Sequence, residues 1–223
     1  MCDKLPPDYD GIEKEEWREN ASLVCNELNT KSERLMKRIR LFIARFGFSK
    51  IDVENKISTD SMFAAHFAKE PRRTGIHEKL AAAWVKRLPM VKQFKVLPKG
   101  GTNAIYITSD GNIHHGELSN RPGKSLDFIW KTGGKTCYAM HKYTKEGGGN
   151  QDSQYKEMVA ILRNFQSCND KTCILFIIVD GQYYGESKMA ELRNNTRSHM
   201  PRSYALHIEG LPLVLEKLKY KKS

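Results

Sequence analysis

The chain has 223 residues, with 37 Lys and Arg against 26 Asp and Glu, so its formal net charge is +11 at pH 7. A length of this order suits one α/β domain with an added helical region, or two small domains, and it excludes a stapled mini-scaffold because the core can hide roughly 70% of the unfolded surface. Hydrophobic residues make up 39% of the sequence, and no apolar run approaches the roughly 20 residues of a membrane span, so no bilayer-crossing segment is expected.

The first residues, Met1-Cys2-Asp3-Lys4-Leu5-Pro6-Pro7, lack the apolar stretch and cleavage site of a secretory signal, and a cytoplasmic location is expected. Cys2, Cys25, Cys137, Cys168 and Cys173 are odd in number and form no CxxC pair, which argues against a disulfide framework or a zinc ribbon. Lys and Arg are spread along the chain rather than gathered on one amphipathic helix. Nucleic acid is therefore the expected partner, ahead of a membrane surface.

Trp17, Ala21, Val24, Leu28, Leu35, Ile39, Phe42, Ile43 and Phe46 recur at helical spacing, with a break near Asn29-Thr30-Lys31-Ser32 where a cap fits, which predicts two helices. A third opens at Thr59-Asp60-Ser61 and must end before Pro71. A fourth, over about 75–88, places Ile76, Leu80, Trp84 and Leu88 on one stripe and turns Glu78 about 200° away from Ile76. Glu78 thus leaves the apolar face, either as a solvated residue that the helix dipole favours or as a functional acid.

After Pro89 the pattern becomes β-rich, with runs at about 94–97, 104–108, 113–117, 126–131 and 136–144. Asp110-Gly111 and Gly133-Gly134 supply the positive φ of tight turns, so an antiparallel meander is expected. A helix at about 151–165, an apolar strand at 173–179, a helix at 186–196, a strand at 203–208 and a helix at 211–219 follow. The continuous apolar character of 173–179 predicts a central strand covered on both faces.

The chemistry-bearing stretch is Lys124-Ser125-Leu126-Asp127-Phe128, then Gly133-Gly134, then Tyr138-Ala139-Met140-His141-Lys142-Tyr143, then Gly147-Gly148-Gly149-Asn150-Gln151-Asp152. Asp127 lies among apolar residues, where an ionised carboxylate needs a cation, a metal or hydrogen-bond donors. Strand parity puts residues 138, 140 and 142 on one face and His141 on the other. Lys142 can therefore meet Asp127 across the hairpin, as a plain ion pair or as the carboxylate and cation of a metal-dependent hydrolytic site.

On these residues the chain resembles the PD-(D/E)XK nucleases, particularly the type II restriction endonucleases, over roughly 117–212. Asp127 matches the first Asp of that pattern, without the preceding Pro, and Lys142 matches the closing Lys. The acidic position falls on Met140, whose thioether cannot replace a carboxylate on a hard cation. The resemblance implies a mixed-sheet, restriction-endonuclease-like α/β core at residues 91–223, preceded by a helical DNA-binding or dimerisation region at 1–90 that contributes a helix to the site.

It also implies Mg2+, with Mn2+ able to replace it, held by Asp127 with Glu78 as first supplementary ligand and Glu117 and Asp152 as further candidates. The expected partner is double-stranded DNA, cut by a homodimer because each centre hydrolyses one strand of a palindrome. Lys145, Asn150, Gln151 and Asp152 are expected near DNA, with Arg72 and Arg73 as phosphate clamps and Arg193 and Arg197 as a second basic surface. The alternative is a DNA-binding protein of the same fold that has lost cleavage, because of Met140.

Overall fold

The computed structural model describes residues 5–70, 73–117, 124–196 and 202–220. Arg72 and Arg197 lie outside them, as do the side chain of Arg73 and the whole of Cys2. The chain divides into two units, Asp8–Ile76 and His77–Ser223 together with the first seven residues. The boundary therefore falls earlier than the expected 90/91.

The Asp8–Ile76 unit is helical: α1 (Tyr9–Ser22), α2 (Val24–Asn29), α3 (Glu33–Phe46), α4 (Lys50–Thr59) and α5 (Ser61–Ala65). Side-chain oxygens start α1, α4 and α5, whereas Ser32, in the segment where a cap was expected, precedes α3 without a side-chain cap bond. Asp8 accepts from Gly11 N at 2.8 Å, Ser49 from Asp52 N at 3.1 Å, and Asp60 from Met62 N and Phe63 N, each at 3.0 Å. Gly47 ends α3 in the left-handed region at φ 75°, a conformation glycine takes without steric cost.

Val24, Leu35, Ile39, Val53, Ile57, Ala64, Phe67 and Ala68 form the core of this unit. Arg34 donates to Phe67 O at 3.0 Å and Arg38 to His66 O at 3.1 Å and to Ala68 O, so both guanidiniums serve main-chain carbonyls that follow α5. The first predicted helix is two, because the chain kinks at Leu23. Helix α4 was not expected, and the helix opening at Asp60 is only one turn long.

The second unit takes in most of α6 (Arg73–Lys86), then β1 (Lys92–Val96), β2 (Ile105–Ile107), β3 (Ile113–His115), β4 (Phe128–Thr132), β5 (Lys135–Tyr143), α7 (Gly149–Phe165), β6 (Cys173–Asp180), α8 (Glu186–Thr196), β7 (Ser203–Leu206) and α9 (Leu211–Tyr220). One five-stranded sheet runs β1-β4-β5-β6-β7, and β2 and β3 pair separately. β1, β4 and β5 are antiparallel neighbours, whereas β5, β6 and β7 are parallel. The fold is thus α/β with a mixed sheet, and the expected single meander is three strands of the main sheet plus a separate hairpin.

Gly133 and Gly134 at φ 54° and 78° close the β4–β5 hairpin, the two consecutive positive φ angles that a two-residue turn needs. Parallel pairing of β5, β6 and β7 requires long crossovers, which α7 and α8 supply. All eight residues of β6 are buried, and it lies beside the middle strand, β5, rather than at the centre itself. Tyr138, Met140, Leu175, Ile177 and Val179 face the helices, packed in one cluster with Tyr155, Met158, Leu162 and Phe165 of α7 and Met189 and Leu192 of α8.

Among residues of the opposite parity, Trp130 and Phe176 rings lie 5.2 Å apart and Phe176 and Tyr204 rings 5.3 Å apart. At the sheet edge, β1 has a register irregularity between Lys92 and Lys95, where Gln93 takes a φ of 52°. Cys25, Cys137, Cys168 and Cys173 are free thiols. Among the described residues no helix is long and apolar enough to cross a membrane.

Charge is divided unequally. The Asp8–Ile76 unit carries 13 Lys and Arg and 12 Asp and Glu, a net of +1, which leaves 37 − 13 = 24 and 26 − 12 = 14 for the sheet unit, a net of +10.

Candidate active site

The site begins where β4 and β5 part. Their ladder runs from Thr132↔Lys135 to Phe128↔Ala139. One residue further, Asp127 N still donates to Ala139 O at 2.8 Å, and Leu97 N donates to Asp127 O at 2.8 Å. Beyond that, β4 offers β5 no main-chain acceptor, and the next β5 donor, His141 N, is taken by the carboxylate oxygen Oδ2 of Asp127 at 2.8 Å. A buried N–H left unpaired would cost about 1–3 kcal/mol, so the carboxylate is part of the sheet's hydrogen-bond accounting as well as a charge.

Burial pushes the Asp127 carboxyl above the ordinary carboxylate value, the His141 N–H pulls it back, and the negative charge of Glu78 raises it further. Glu78 comes from the second turn of α6, with its side chain 17% exposed and its Oε2 3.0 Å from Lys99 Nζ. Ile76 and Leu80 of the expected stripe are only half-buried, whereas Ala81, Ala82 and Val85, three, four and seven residues beyond Glu78, are buried, so Glu78 stands on the packed side of α6 rather than off the apolar face.

Lys142 follows Met140 on the helix-covered face of β5. Burial pushes its ammonium below the ordinary lysine value, the Lys124 charge adds to this, Asp127 opposes it, Lys99 lowers it again and Glu78 opposes. Two acids, Glu78 and Asp127, and three lysines, Lys99, Lys124 and Lys142, therefore share one electrostatic field. Among the described residues no group of three or more His, Cys, Asp or Glu side chains is arranged to hold a metal ion; the acids that act on Lys142 are Asp127 and Glu78.

Met140 is 2% exposed and belongs to the apolar cluster under α7 and α8. The His141 side chain is 2% exposed, with Nε2 3.7 Å from Asp180 Oδ2 and its ring 6.1 Å from that of Phe128. It faces away from Lys142, as a regular strand requires. Asp180 in turn accepts from Ile208 N at 3.0 Å.

The structure does not join the remaining predicted residues to this group. Glu117 is exposed, with its carbonyl 3.4 Å from His114 Nε2, and the charges that act most on Asp127 and Lys142 are not its own. Asp152 accepts from the Tyr183 hydroxyl and lies 3.9 Å from Lys188 Nζ, which sits 4.2 Å over the Tyr183 ring. That cluster makes Asp152 a partner of Lys188 on α8. Asn150 is exposed and Gln151 half-buried in the first turn of α7, Lys145 is half-buried before it, and Arg193 is exposed on α8.

Sequence reasoning missed Lys99 and gave Lys124, at the head of the chemistry-bearing stretch, no role. Lys124 directly precedes Ser125-Leu126-Asp127, a signal that proximity offered. Lys99 lies in Pro98-Lys99-Gly100-Gly101, where nothing local marks it. Comparisons with protein-family models, curated proteins and solved structures gave no match.

Proposed function

We propose that this protein is a metal-dependent nuclease of the PD-(D/E)XK kind, acting on double-stranded DNA as a type II restriction endonuclease does. The observation that carries the reading is the convergence of Glu78, Asp127 and Lys142 where β4 and β5 part. Two carboxylates are a donor set that Mg2+ accepts, since this ion is commonly held by one or two acids and completes its shell with water and phosphate oxygens. Asp127 and Glu78 would hold it, and when bound it would supply charge stabilisation on the phosphate and a more acidic water.

The protein's own groups have separable tasks. The His141 N–H favours the ionised form of Asp127 and fixes its orientation. Lys142, half-buried and unable to retreat far into solvent, presents a cation to an attacking water or a phosphate oxygen. The +10 of the sheet unit supports binding to a polyanion by the unit that holds the site, with salt-dependent affinity. The helical unit, near neutral, fits a dimerisation role better than a phosphate-binding one, and a homodimer would cut both strands of a palindrome.

A second reading, a DNA-binding protein of this fold without cleavage, is favoured by Met140, which is packed into the apolar core where the resemblance expects an acid. Incubation of the purified protein with unmethylated duplex DNA in Mg2+, Mn2+ or EDTA, beside a binding assay at several salt concentrations, tests both. Discrete metal-dependent fragments that vanish in Lys142→Ala support the nuclease. Binding without fragments supports the second reading, and neither binding nor fragments overturns both.

A further inference from the structure

We propose that Lys99 is a displaceable counter-ion for Glu78, holding its carboxylate in the metal-free protein and competing with a divalent cation for it. The proposal rests on the reading of Glu78 and Asp127 as a metal-binding pair.

The two partners differ in how firmly they are held. Glu78 sits on α6 with its side chain 17% exposed, whereas the Lys99 side chain, 3.0 Å away, is 63% exposed. Lys99 lies on the loop between β1 and β2, in Pro98-Lys99-Gly100-Gly101. Gly101 takes a φ of +82° and has open space where a Cβ would stand. The acid is fixed and the base is on a tether.

Two carboxylates drawn together out of water need positive charge nearby. Lys142 provides some of it from within β5, where its half-buried side chain has less free space to swing through than the exposed side chain of Lys99. Lys99 can leave by rotating its own side chain into solvent, and an ion pair this exposed gives little resistance. The ammonium contacts Oε2 of Glu78, so a divalent cation drawn to that oxygen displaces it, and repulsion between the two positive charges disfavours their sharing one carboxylate. The apparent metal affinity is then the intrinsic affinity reduced by the fraction of molecules in which Lys99 covers Glu78.

Lys99 is in this account a positioning residue, and its test reads metal binding directly. Mn2+ affinity of the full-length protein would be measured by electron paramagnetic resonance for wild type, Lys99→Gln, Lys99→Arg, Glu78→Gln and the Lys99→Gln/Glu78→Gln double variant. Thermal melts monitored by circular dichroism would confirm that each is folded.

Lys99→Gln should bind Mn2+ about three- to fivefold more tightly, the range that release of an exposed pair can supply. Lys99→Arg, which retains the pair, should bind like wild type, and the gain should disappear in the Glu78→Gln background. Equal or weaker Mn2+ binding by Lys99→Gln than by a wild type that does bind overturns the proposal alone. A wild type that binds no Mn2+ overturns the metal-binding pair itself, and with it the functional reading.

Discussion

The Asp127 carboxylate accepts the main-chain N–H of His141 at 2.8 Å, so the residue that brings negative charge to the site also completes the hydrogen bonding of the strand that carries Lys142. Structure and chemistry therefore separate only under the right substitutions. Asp127→Asn keeps an acceptor for His141 N and removes the charge, whereas Asp127→Ala removes both. Urea denaturation should show Asp127→Ala less stable than Asp127→Asn by about 1–3 kcal/mol, the cost of an orphaned buried donor. Under the proposed nuclease reading, neither variant should cut DNA.

The pH dependence of stability follows from the same burial. The folded-state value of the Asp127 carboxyl is raised from 3.8, so its contribution is fully present below pH 3.8 and is lost as pH rises through the folded value. At neutral pH the ionised group is a cost. Asp127→Asn should accordingly be more stable than wild type at pH 7 without metal, and that advantage should shrink toward zero near pH 3.5. Lys142 has the opposite sign: its ammonium is pushed below 10.5, so Lys142→Met should gain stability at pH 7 and lose the gain above pH 10.5. Chemical denaturation across pH measures both, and flat differences would contradict the burial argument.

Met140→Glu tests the position where the resemblance expects an acid. Met140 is 2% exposed among apolar side chains, and a carboxyl there without partners should destabilise the metal-free protein by about 2–4 kcal/mol. If the new group reaches the metal-binding pair, a divalent cation at 100 times its dissociation constant should return about 2.7 kcal/mol. Cleavage should then rise above that of wild type. A loss of stability that Mg2+ leaves unchanged would mean that the carboxyl stays in the core.

Gly181 offers a test of the turn after β6. Its φ is +98°, and a Cβ there would stand 2.2 Å from Thr144 O, while Thr144 N donates to Asp180 O at 2.9 Å. Gly181→Ala should cost about 2 kcal/mol or more, from backbone strain and from displacement of the β5 end just beyond Lys142. The midpoint of urea denaturation is the measurement, and a shift under 0.5 kcal/mol, about the size of a surface change, would refute it.

Most elements of the sheet unit were legible because each has its own period. Strict turn glycines fixed the β4–β5 hairpin, and the unbroken apolar run at Cys173–Val179 announced a strand covered on both faces. Pairing was not legible. Ile105–Ile107 and Ile113–His115 have the pattern of sheet strands, and nothing local says that they form a two-stranded ladder apart from the main sheet. Helix α4 escaped because Lys50–Thr59 carries only Val53 and Ile57 as buried residues, too few for a stripe. At the site, strand parity, which acts over a few residues, placed Lys142 on the face of Met140, whereas the helical phase misplaced Glu78, because the small buried residues Ala81 and Ala82 turn the packed face of α6 toward it. Lys99 meets Glu78 only through tertiary folding, which no local rule encodes.

The charged, irregular edge strand β1 bears on assembly. A flat, apolar edge invites a strand from another molecule, and lysines with a bulge discourage it. Lys92 and Lys95 flank the irregularity at Gln93, and four of the five residues of β1 are exposed. Continuous β-sheet growth from one copy to the next is therefore disfavoured at this end, and the row of backbone groups along β1 is left to water.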